Sequence, residues 1–267
     1  MCKQVLLCAN QPRMIDSRRA SAITFNGCPM NTTLKRASIA AAVLTATLGF
    51  SAPANAVFVA TICNDIQCLG GDDFIVTDNG AGDTVAMSGA ISFSASAFGY
   101  TILVNTSQSK PVVGSATSPQ LDLSYTATTA GPAGNVFIYA SDTDFLSGGT
   151  FSLTLGGTNS GGDGSVTGRG WGGTSNTAMQ FSGANLLAAL GPFTTGAFSA
   201  SANGPFAPAS SPYSLTIGMQ IGRTTAGTST GDLNLQVSAV PEASTWAMML
   251  MGPALIGFVV QRRRRRL

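Results

Sequence analysis

The sequence predicts an all-β protein, an antiparallel β-sandwich or jelly-roll-like domain that covers residues 57–239. Several short segments alternate apolar and polar residues with a period of two, which places one face of each strand on a core and the other in water. Turn-forming residues separate these segments, as in 78–83, 129–134 and 147–149. Many short strands between glycine-rich turns are typical of two packed sheets, and about 180 residues suit one such domain.

The predicted strands follow one another along this segment. Alternation is clearest in Y-S-L-T-I-G-M-Q-I at 213–221, and it recurs with smaller side chains in I-S-F-S-A-S-A at 91–97. The predicted strands are 57–62, 74–77, 91–97, 100–104, 121–126, 135–140, 151–155, 213–221 and 233–237. Residues 184–190 (A-N-L-L-A-A-L) end at a Gly-Pro pair and favour a two-turn helix. The glycine-rich segment 158–176 is expected to be a flexible loop.

Residues 30–56 have the three regions of a secretory signal peptide. A short cationic start precedes an uncharged apolar run at 37–50, and Ala54 and Ala56 form an A-x-A cleavage site. The apolar run is too short to favour a permanent membrane span. We therefore expect cleavage after Ala56, with Val57 as the first residue of the exported chain. We interpret Met30 as the initiator, which makes residues 1–29 an upstream extension from a misassigned gene start; a disordered segment is the alternative.

Residues 240–267 contain a second targeting segment, built from three parts in a fixed order. It begins with Val240, Pro241, Glu242, Ala243, Ser244, Thr245, Trp246 and Ala247. An uncharged apolar run follows, and residues 245–260 would span about 24 Å as a transmembrane helix. The tail ends with Arg262, Arg263, Arg264, Arg265 and Arg266. These arginines are expected to stay cytoplasmic and stop transfer, which leaves the rest of the chain outside.

This tail resembles the PEP-CTERM sorting signal of Gram-negative bacteria, which is also known as an ice-binding-protein C-terminal domain. The resemblance rests on Val240, Pro241, Glu242, Ser244, Thr245, Trp246, Ala247, Gly252, Gly257 and the arginine run. The family usually has proline where this chain has Ala243. The resemblance implies recognition and cleavage by a membrane enzyme called exosortase, followed by release to the outer surface or the exopolysaccharide matrix. An ordinary membrane anchor without processing is the alternative.

Most of the positive charge of the chain lies outside the predicted domain. The whole sequence has a net charge of +2, but residues 57–239 contain three basic and ten acidic residues, a net charge of −7. This argues against a nucleic-acid partner, which needs clustered cations. Cys63 and Cys68 are the cysteines of this segment, and an oxidising compartment favours a disulfide between them. A zinc site is disfavoured because the chain has no histidine.

Catalytic patterns are weak. Residues 227–231 spell G-x-S-x-G, but that motif needs a histidine base. Lys110 is expected to lie in an exposed turn, where its pKa would be too high for a general base. A glycan hydrolase would need paired carboxylates, for which Asp72 with Asp73, or Asp142 with Asp144, are the candidates. We expect no enzymatic activity.

Two further groups of residues are candidates for binding. Asp72, Asp73, Asp78 and Asp83 surround a glycine-rich turn and are weak candidates for calcium, with a solvated turn as the favoured interpretation; no other cofactor is expected. Trp171 lies among glycines beside Arg169, where it could stack on a sugar or a partner surface. The alternative is a tryptophan that folds back over the edge of the sandwich.

Together these patterns predict an exported, non-enzymatic cell-surface or exopolysaccharide-matrix protein. Its expected partners are the secretion translocon, an exosortase-type processing enzyme, the membrane through the C-terminal helix, and exopolysaccharide. A secreted glycan hydrolase and a carbohydrate- or ice-surface-binding module are the alternatives. Ice binding usually requires a flat face with regular threonine rows, and threonine does not recur at a fixed pitch along this sequence.

Overall fold

Two six-stranded antiparallel sheets pack face to face, so the predicted all-β sandwich is confirmed. The structure, a computed structural model, describes residues 56–194, 196–239 and Met251. The strands are β1 Val59–Cys63, β2 Phe74–Thr77, β3 Ala90–Ala97, β4 Tyr100–Gln108, β5 Gln120–Thr129, β6 Gly134–Phe145, β7 Gly149–Ser160, β8 Gly164–Gly172, β9 Leu186–Phe193, β10 Gly196–Phe206, β11 Tyr213–Arg223 and β12 Gly227–Ser238. Sheet I has the order β2-β1-β6-β11-β8-β9, and sheet II the order β10-β7-β12-β5-β4-β3.

Sheet II shows the alternation that its sequence predicts. On β5, Leu121, Leu123 and Tyr125 are fully buried against sheet I, whereas Asp122 and Ser124 between them lie on the outer face. Burial of a large apolar side chain contributes about 1.5–3 kcal/mol. Because a slip of one residue would expose every such side chain, this pattern also fixes the register of the sheet.

The two central strands of sheet I are buried on both faces. β6 and β11 combine inward residues such as Ile138 and Ile217 with outward residues such as Tyr139 and Thr216, all of them buried. The inward residues belong to the core between the sheets, while Tyr139 packs in a second apolar cluster on the outer face. Sheet I therefore carries a cover on its outer face, and that cover contains the candidate functional site.

The expectation of a flexible loop over 158–176 is wrong, because this segment includes the end of β7 and all of β8. The glycines of β8 have a packing role. A Cβ at Gly168 would lie 2.9 Å from Leu155 Cδ2 and 3.0 Å from Leu233 Cδ1. A Cβ at Gly170 would lie 3.2 Å from Leu153 Cδ1. The lack of side chains at these two glycines thus leaves room for leucines of sheet II. The glycines indicate close packing between the two sheets rather than a flexible loop.

The expected helix over 184–190 is also wrong. Gly183–Asn185 forms a single 3-10 turn, and β9 then pairs with β8 at the edge of sheet I. A helix of seven residues is marginal in water, whereas pairing satisfies the backbone groups along β8. The sequence does not predict β10, because its inward residues include Ala200 and Ala202. Their small side chains differ little in hydrophobicity from the neighbouring serines.

Lys110 bridges the two sheets at one end of the sandwich. Its Nζ lies 2.7 Å from Asp142 Oδ2 and 4.0 Å from the centre of the Phe145 ring. Asp142 is fully buried on β6 and accepts two more hydrogen bonds, from Ser109 Oγ at 2.5 Å and from the Thr143 amide at 2.7 Å. The expectation that Lys110 lies in an exposed turn is therefore wrong, since its side chain is only 11% exposed.

Arg223 performs a similar bridging role from β11 with uncharged partners. The guanidinium is 1% exposed and reaches sheet II, where Nη1 donates to Asn159 Oδ1 at 2.6 Å and to Ser229 Oγ at 3.0 Å. Nη2 donates to the carbonyls of Ser160 and Gly161. Four neutral acceptors thus stabilise this buried cation, while Nε has no partner among the described residues.

The targeting segments lie outside the described residues. These comprise the upstream extension, the signal peptide up to residue 55 with its Ala54, the sorting motif from Val240 and the arginines 262–266. Of the predicted span 245–260, the structure describes Met251 alone. Within the described ranges, no helix has the length and apolar character needed to cross a bilayer.

The buried ion pair gives a prediction for stability. Lys110→Met should lower the free energy of unfolding by about 3–5 kcal/mol, because it leaves the Asp142 carboxylate buried without its cation. The double variant Lys110→Met with Asp142→Leu should recover most of that loss. Chemical denaturation of wild type and both variants measures the difference. A double variant no more stable than the single one would contradict a coupled pair.

Candidate functional site

An aromatic cluster covers the outer face of sheet I. Phe137 and Tyr139 of β6 and Trp171 of β8 are buried there beside Cys63, and Phe181 packs against them from a loop. Phe181 lies 4.4 Å from the ring centre of Tyr139 and 5.5 Å from that of Trp171. These rings form an apolar floor outside the core of the sandwich.

Gly218 of β11 makes this arrangement possible. It lies between Tyr139 and Arg169 in the register of sheet I. A Cβ at this position would come within 2.1 Å of Tyr139 Cδ1 and 3.3 Å of Trp171 Cζ3. The rings of the two neighbouring strands therefore lean over bare backbone, which no other residue type would allow.

The predicted disulfide between Cys63 and Cys68 is supported, with the two Cα atoms 5.3 Å apart. It closes the disulfide loop, residues 63–70, over the aromatic cluster. The Asp65 carboxylate accepts hydrogen bonds from the amides of Gln67 at 2.8 Å and Leu69 at 3.1 Å. These amide bonds, that of Gln67 foremost, lower the pKa of Asp65 below its usual value despite an opposing effect of desolvation.

The disulfide loop is also attached to the sheet beneath it. The Tyr139 hydroxyl donates to the carbonyl of Ile66 at 2.9 Å. Burial raises the pKa of Tyr139, so this phenol stays a donor at physiological pH. The loop therefore has three restraints: the disulfide, the amide bonds to Asp65 and the Tyr139 hydroxyl.

A second loop, the covering loop at residues 173–185, completes the cover. Its Met179 amide donates to Ser141 Oγ at 2.8 Å, which attaches the loop to β6. Gln180 Oε1 accepts from the Thr174 amide at 2.8 Å, which closes the loop on itself. The same loop contacts Asp144, whose Oδ1 accepts from Asn176 Nδ2 at 2.5 Å. These bonds place Phe181 against the rings of Tyr139 and Trp171.

The two loops and β8 together enclose a shallow pocket of 190 Å³, the aromatic pocket. It is lined by Ile66, Gln67, Arg169, Trp171, Phe181, Ser182, Gly183 and Leu186. Arg169 is half-buried, and its Nη1 donates to Gln220 Oε1 at 2.9 Å. Within the described residues, no carboxylate forms a salt bridge with it. The pocket thus combines aromatic walls with a guanidinium that keeps most of its donors available.

Sequence reasoning selected two residues of this pocket and missed the others. Trp171 and Arg169 lie side by side in the outward positions of β8, where the sequence predicted a loop. Trp171 is only 4% exposed, so it packs on the sheet and also lines the pocket. Phe181, Ser182 and Gln67 come from loops far apart in the sequence, and no motif connects them with β8.

Of the four aspartates considered for calcium, Asp78 and Asp83 serve as acceptors for backbone amides. Asp78 Oδ2 accepts from the Gly89 amide at 2.9 Å, and Asp83 Oδ1 accepts from the amides of Val85 and Ser92. Asp72 is exposed, while burial, with Asp65 and Asp72 nearby, raises the pKa of Asp73. In the described part of the chain, no group of three or more His, Cys, Asp or Glu residues is arranged to hold a metal ion.

The aspartates considered for hydrolysis are not brought together at an open site. Asp142 faces the interior, where it binds Ser109 and Lys110. Asp144 has a φ of 63° and contacts the covering loop. Ser229 of the G-x-S-x-G segment is buried in β12 and donates to Asn159 Oδ1 at 2.7 Å. Each of these groups has a structural partner.

The outer face of sheet II is open and nearly free of apolar side chains. Its register places Thr158, Thr230 and Thr126 in one row across three strands, and the hydroxyls of Thr158 and Thr230 lie 2.7 Å apart. A neighbouring row contains Thr228 and Thr128, 3.1 Å apart. The threonines thus align across strands, although they show no fixed pitch along the sequence.

Two carboxyl groups lie on this same face. Desolvation, with the nearby charge of Asp232, raises the pKa of Asp122 to about 6, and a weak hydrogen bond from Asn234 opposes the shift. Burial raises the pKa of Asp232 in the same direction. The sequence shows both residues in alternating strands, but only the strand pairing reveals that they are neighbours.

Comparisons with known proteins do not assign this chain to a family. No family model matches this chain, and no curated protein does. Among solved structures, the enzymatically active domain of tailspike protein 4 of bacteriophage CBA120 is 9% identical, with 52% of this chain and 19% of that chain covered, at a TM-score of 0.31. The structure of infectious bursal disease virus Gx strain is 12% identical, with 74% and 54% covered, at a TM-score of 0.31. The chain thus spans less than two thirds of either protein, and likenesses this low carry no argument about function.

The raised pKa of Asp122 predicts a pH-dependent stability. The folded state holds this proton up to about pH 6, whereas the unfolded chain releases it near 3.8. The stabilisation from protonation is therefore fully present below about pH 4 and is lost as the pH rises through 6. Allowing for solvent screening, wild type should lose about 1–2 kcal/mol relative to Asp122→Asn between pH 4 and 7.

Urea denaturation at several pH values measures this difference, since the subtraction removes the effect of the other acids. Asp163→Asn, a change at an exposed aspartate in the turn between β7 and β8, serves as the control. A constant difference between wild type and Asp122→Asn would show that the carboxyl group ionises alike in both states.

Proposed function

We propose that the chain is an exported, non-enzymatic protein of the bacterial cell surface or exopolysaccharide matrix, and that its sandwich binds glycan in the aromatic pocket. The observation that carries this proposal is the pocket itself. Trp171 and Phe181 supply apolar walls, and Arg169 supplies hydrogen-bond donors to the same pocket. Aromatic walls suit the C–H face of a sugar ring, while convergent polar groups suit its hydroxyls.

The size of the pocket supports a small ligand unit. Pockets for drug-sized molecules usually measure about 300–1,000 Å³, whereas this one measures 190 Å³. It is open on one side and accommodates about one ring, so a longer polymer would place one residue in it and extend across the surface. Binding of one residue from a polymer is weak alone and gains strength from many copies, as suits a matrix protein.

The candidate catalytic groups support binding rather than hydrolysis. A glycosidase needs two carboxyl groups of different pKa on either side of the scissile bond. Asp142 instead forms the buried ion pair with Lys110, and Asp144 holds the covering loop through Asn176. Neither carboxyl group lines the aromatic pocket.

The limits of the sandwich support the proposed targeting segments. β1 begins at Val59, two residues after the proposed new N-terminus at Val57, and Phe58 is already buried. β12 ends at Ser238, just before the proposed sorting motif at Val240. The signal peptide, the span 245–260 and the arginine tail thus flank a finished domain. The disulfide is consistent with export to an oxidising compartment of a Gram-negative cell.

A second candidate is attachment to an extended carbohydrate or ice surface through sheet II. The aligned threonine rows on the outer face favour it, because rows repeat about every 4.8 Å across antiparallel strands. In this proposal the outer face of sheet II would bind the carbohydrate or ice surface through many weak contacts at once. Substitution of Thr230 and Thr126 with lysine separates this function from binding in the aromatic pocket, which lies on the other sheet.

Mass spectrometry of the secreted protein tests the proposed export route. The expected product begins at Val57 and ends near Pro241, because the translocon and the exosortase-type enzyme would remove both flanking segments. Glu242→Ala should leave the N-terminus unchanged and the C-terminus intact and membrane-bound. Wild-type protein that stays in the membrane with residues 248–267 intact would contradict sorting and favour an ordinary anchor.

Binding of exopolysaccharide extracted from the producing bacterium tests the proposed activity. Phe181→Ala should weaken binding about tenfold, the equivalent of about 1.4 kcal/mol, because it removes one wall of the pocket. Phe74→Ala is the matched control, since Phe74 is a partly exposed aromatic residue on β2. Circular dichroism confirms that both variants are folded. Equal loss in both variants, or no binding by wild type, would overturn the proposal.

A further inference from the structure

The sandwich contains three cations, and two of them are already used inside the protein. Lys110 is paired with Asp142, and Arg223 is enclosed by neutral acceptors of sheet II. Arg169 is the third, and it lies at the wall of the aromatic pocket. Within the described residues, its side-chain hydrogen-bond partner is the neutral amide of Gln220, and no carboxylate forms a salt bridge with it. Lys110 and Arg223 also line cavities, but their charged groups are held by the partners named above. Among the described residues, Arg169 is therefore the cation at a cavity wall that keeps most of its donors available to a ligand.

We infer that the glycan residue held in the aromatic pocket carries a carboxylate, as in a hexuronic acid, and that Arg169 binds this group. The inference rests on the glycan binding proposed above and names the class of sugar. The planar guanidinium fork matches the two oxygens of a carboxylate, so the pair can form two parallel hydrogen bonds.

The surroundings of Arg169 prepare it for this role. Gln220 Oε1 accepts from Nη1 at 2.9 Å and thereby fixes the plane of the fork. Trp171 and Phe181 provide apolar walls, where a charge interaction is stronger than in water. The positive charge of Arg169 also acts on the neighbouring phenol of Tyr139. Burial raises the pKa of this phenol, and the Arg169 charge opposes that larger effect by lowering it.

The Asp65 carboxylate, a negative charge in the loop beside the aromatic pocket, is already engaged in hydrogen bonds. Asp65 belongs to the disulfide loop, but its oxygens accept from the amides of Gln67, Leu69 and Gly70. The carboxyl group is thus directed to its own loop. The net charge of −7 on residues 57–239 repels a polyanion at long range, whereas a single ion pair in the pocket acts at short range. Moderate salt should therefore not weaken binding, since it screens the long-range repulsion more than the ion pair in the pocket, in contrast with a polybasic surface.

The test compares an oligogalacturonate with its methyl ester, which has the same rings and no charge, on the secreted protein. Wild type should bind the acid about tenfold more tightly than the ester. Arg169→Gln should remove this preference, so that the acid and the ester bind this variant with equal affinity. Arg169→Lys should retain only part of the preference, because an ammonium lacks the planar fork.

The outcomes separate the two proposals. Equal binding of acid and ester by wild type, or a preference that survives in Arg169→Gln, would overturn the carboxylate assignment and leave glycan binding in place. A sulfated oligosaccharide without carboxylates, bound as tightly as the uronate, would also overturn it. Failure of wild type to bind the acid, the ester and a neutral dextran would overturn the glycan function together with this inference.

Discussion

Close approach of side chains to bare backbone is the constraint on which this structure depends. In β8, Gly168 and Gly170 admit leucines of sheet II, so the core closes tightly at that strand. In β11, Gly218 admits the rings of Tyr139 and Trp171 on the opposite face. The same two strands therefore serve the core on one side and the aromatic floor on the other. A methyl group at any of these positions would meet atoms at 3.2 Å or less.

Much of the fold could be predicted because alternation is a local signal. Leucine and isoleucine alternate with polar residues in β5, β11 and β12, so those strands are visible in the sequence. β8 conceals the same period, since glycine replaces the large inward residues and Trp171 and Arg169 occupy outward positions. A pattern of glycine at every second position was thus the available sign of a strand. β9 could not be recognised locally, because its pairing with β8 decides its conformation.

The candidate site was predictable only in part, for a related reason. Cys63 and Cys68 identify a closed loop, and Trp171 is conspicuous among glycines, but nothing in the sequence connects them. Their contact depends on the antiparallel order β1-β6-β11-β8, which places the disulfide loop and Trp171 on one face. The buried partners of Lys110 were hidden in the same way, since Asp142 lies 32 residues away. The local sequence pattern therefore predicts the strands, but it does not predict which residues contact one another across the fold.

The disulfide loop has a consequence for where the protein can act. Ile66 and Gln67 line the aromatic pocket from a loop that the Cys63–Cys68 bond closes. In a reducing cytoplasm that bond does not form, and the loop would rely on Asp65 and Tyr139 to stay in place. On the proposed export route, the aromatic pocket would be complete only after the chain has left the cytoplasm. On that route and with the proposed glycan binding, newly made chains would not capture sugars inside the cell.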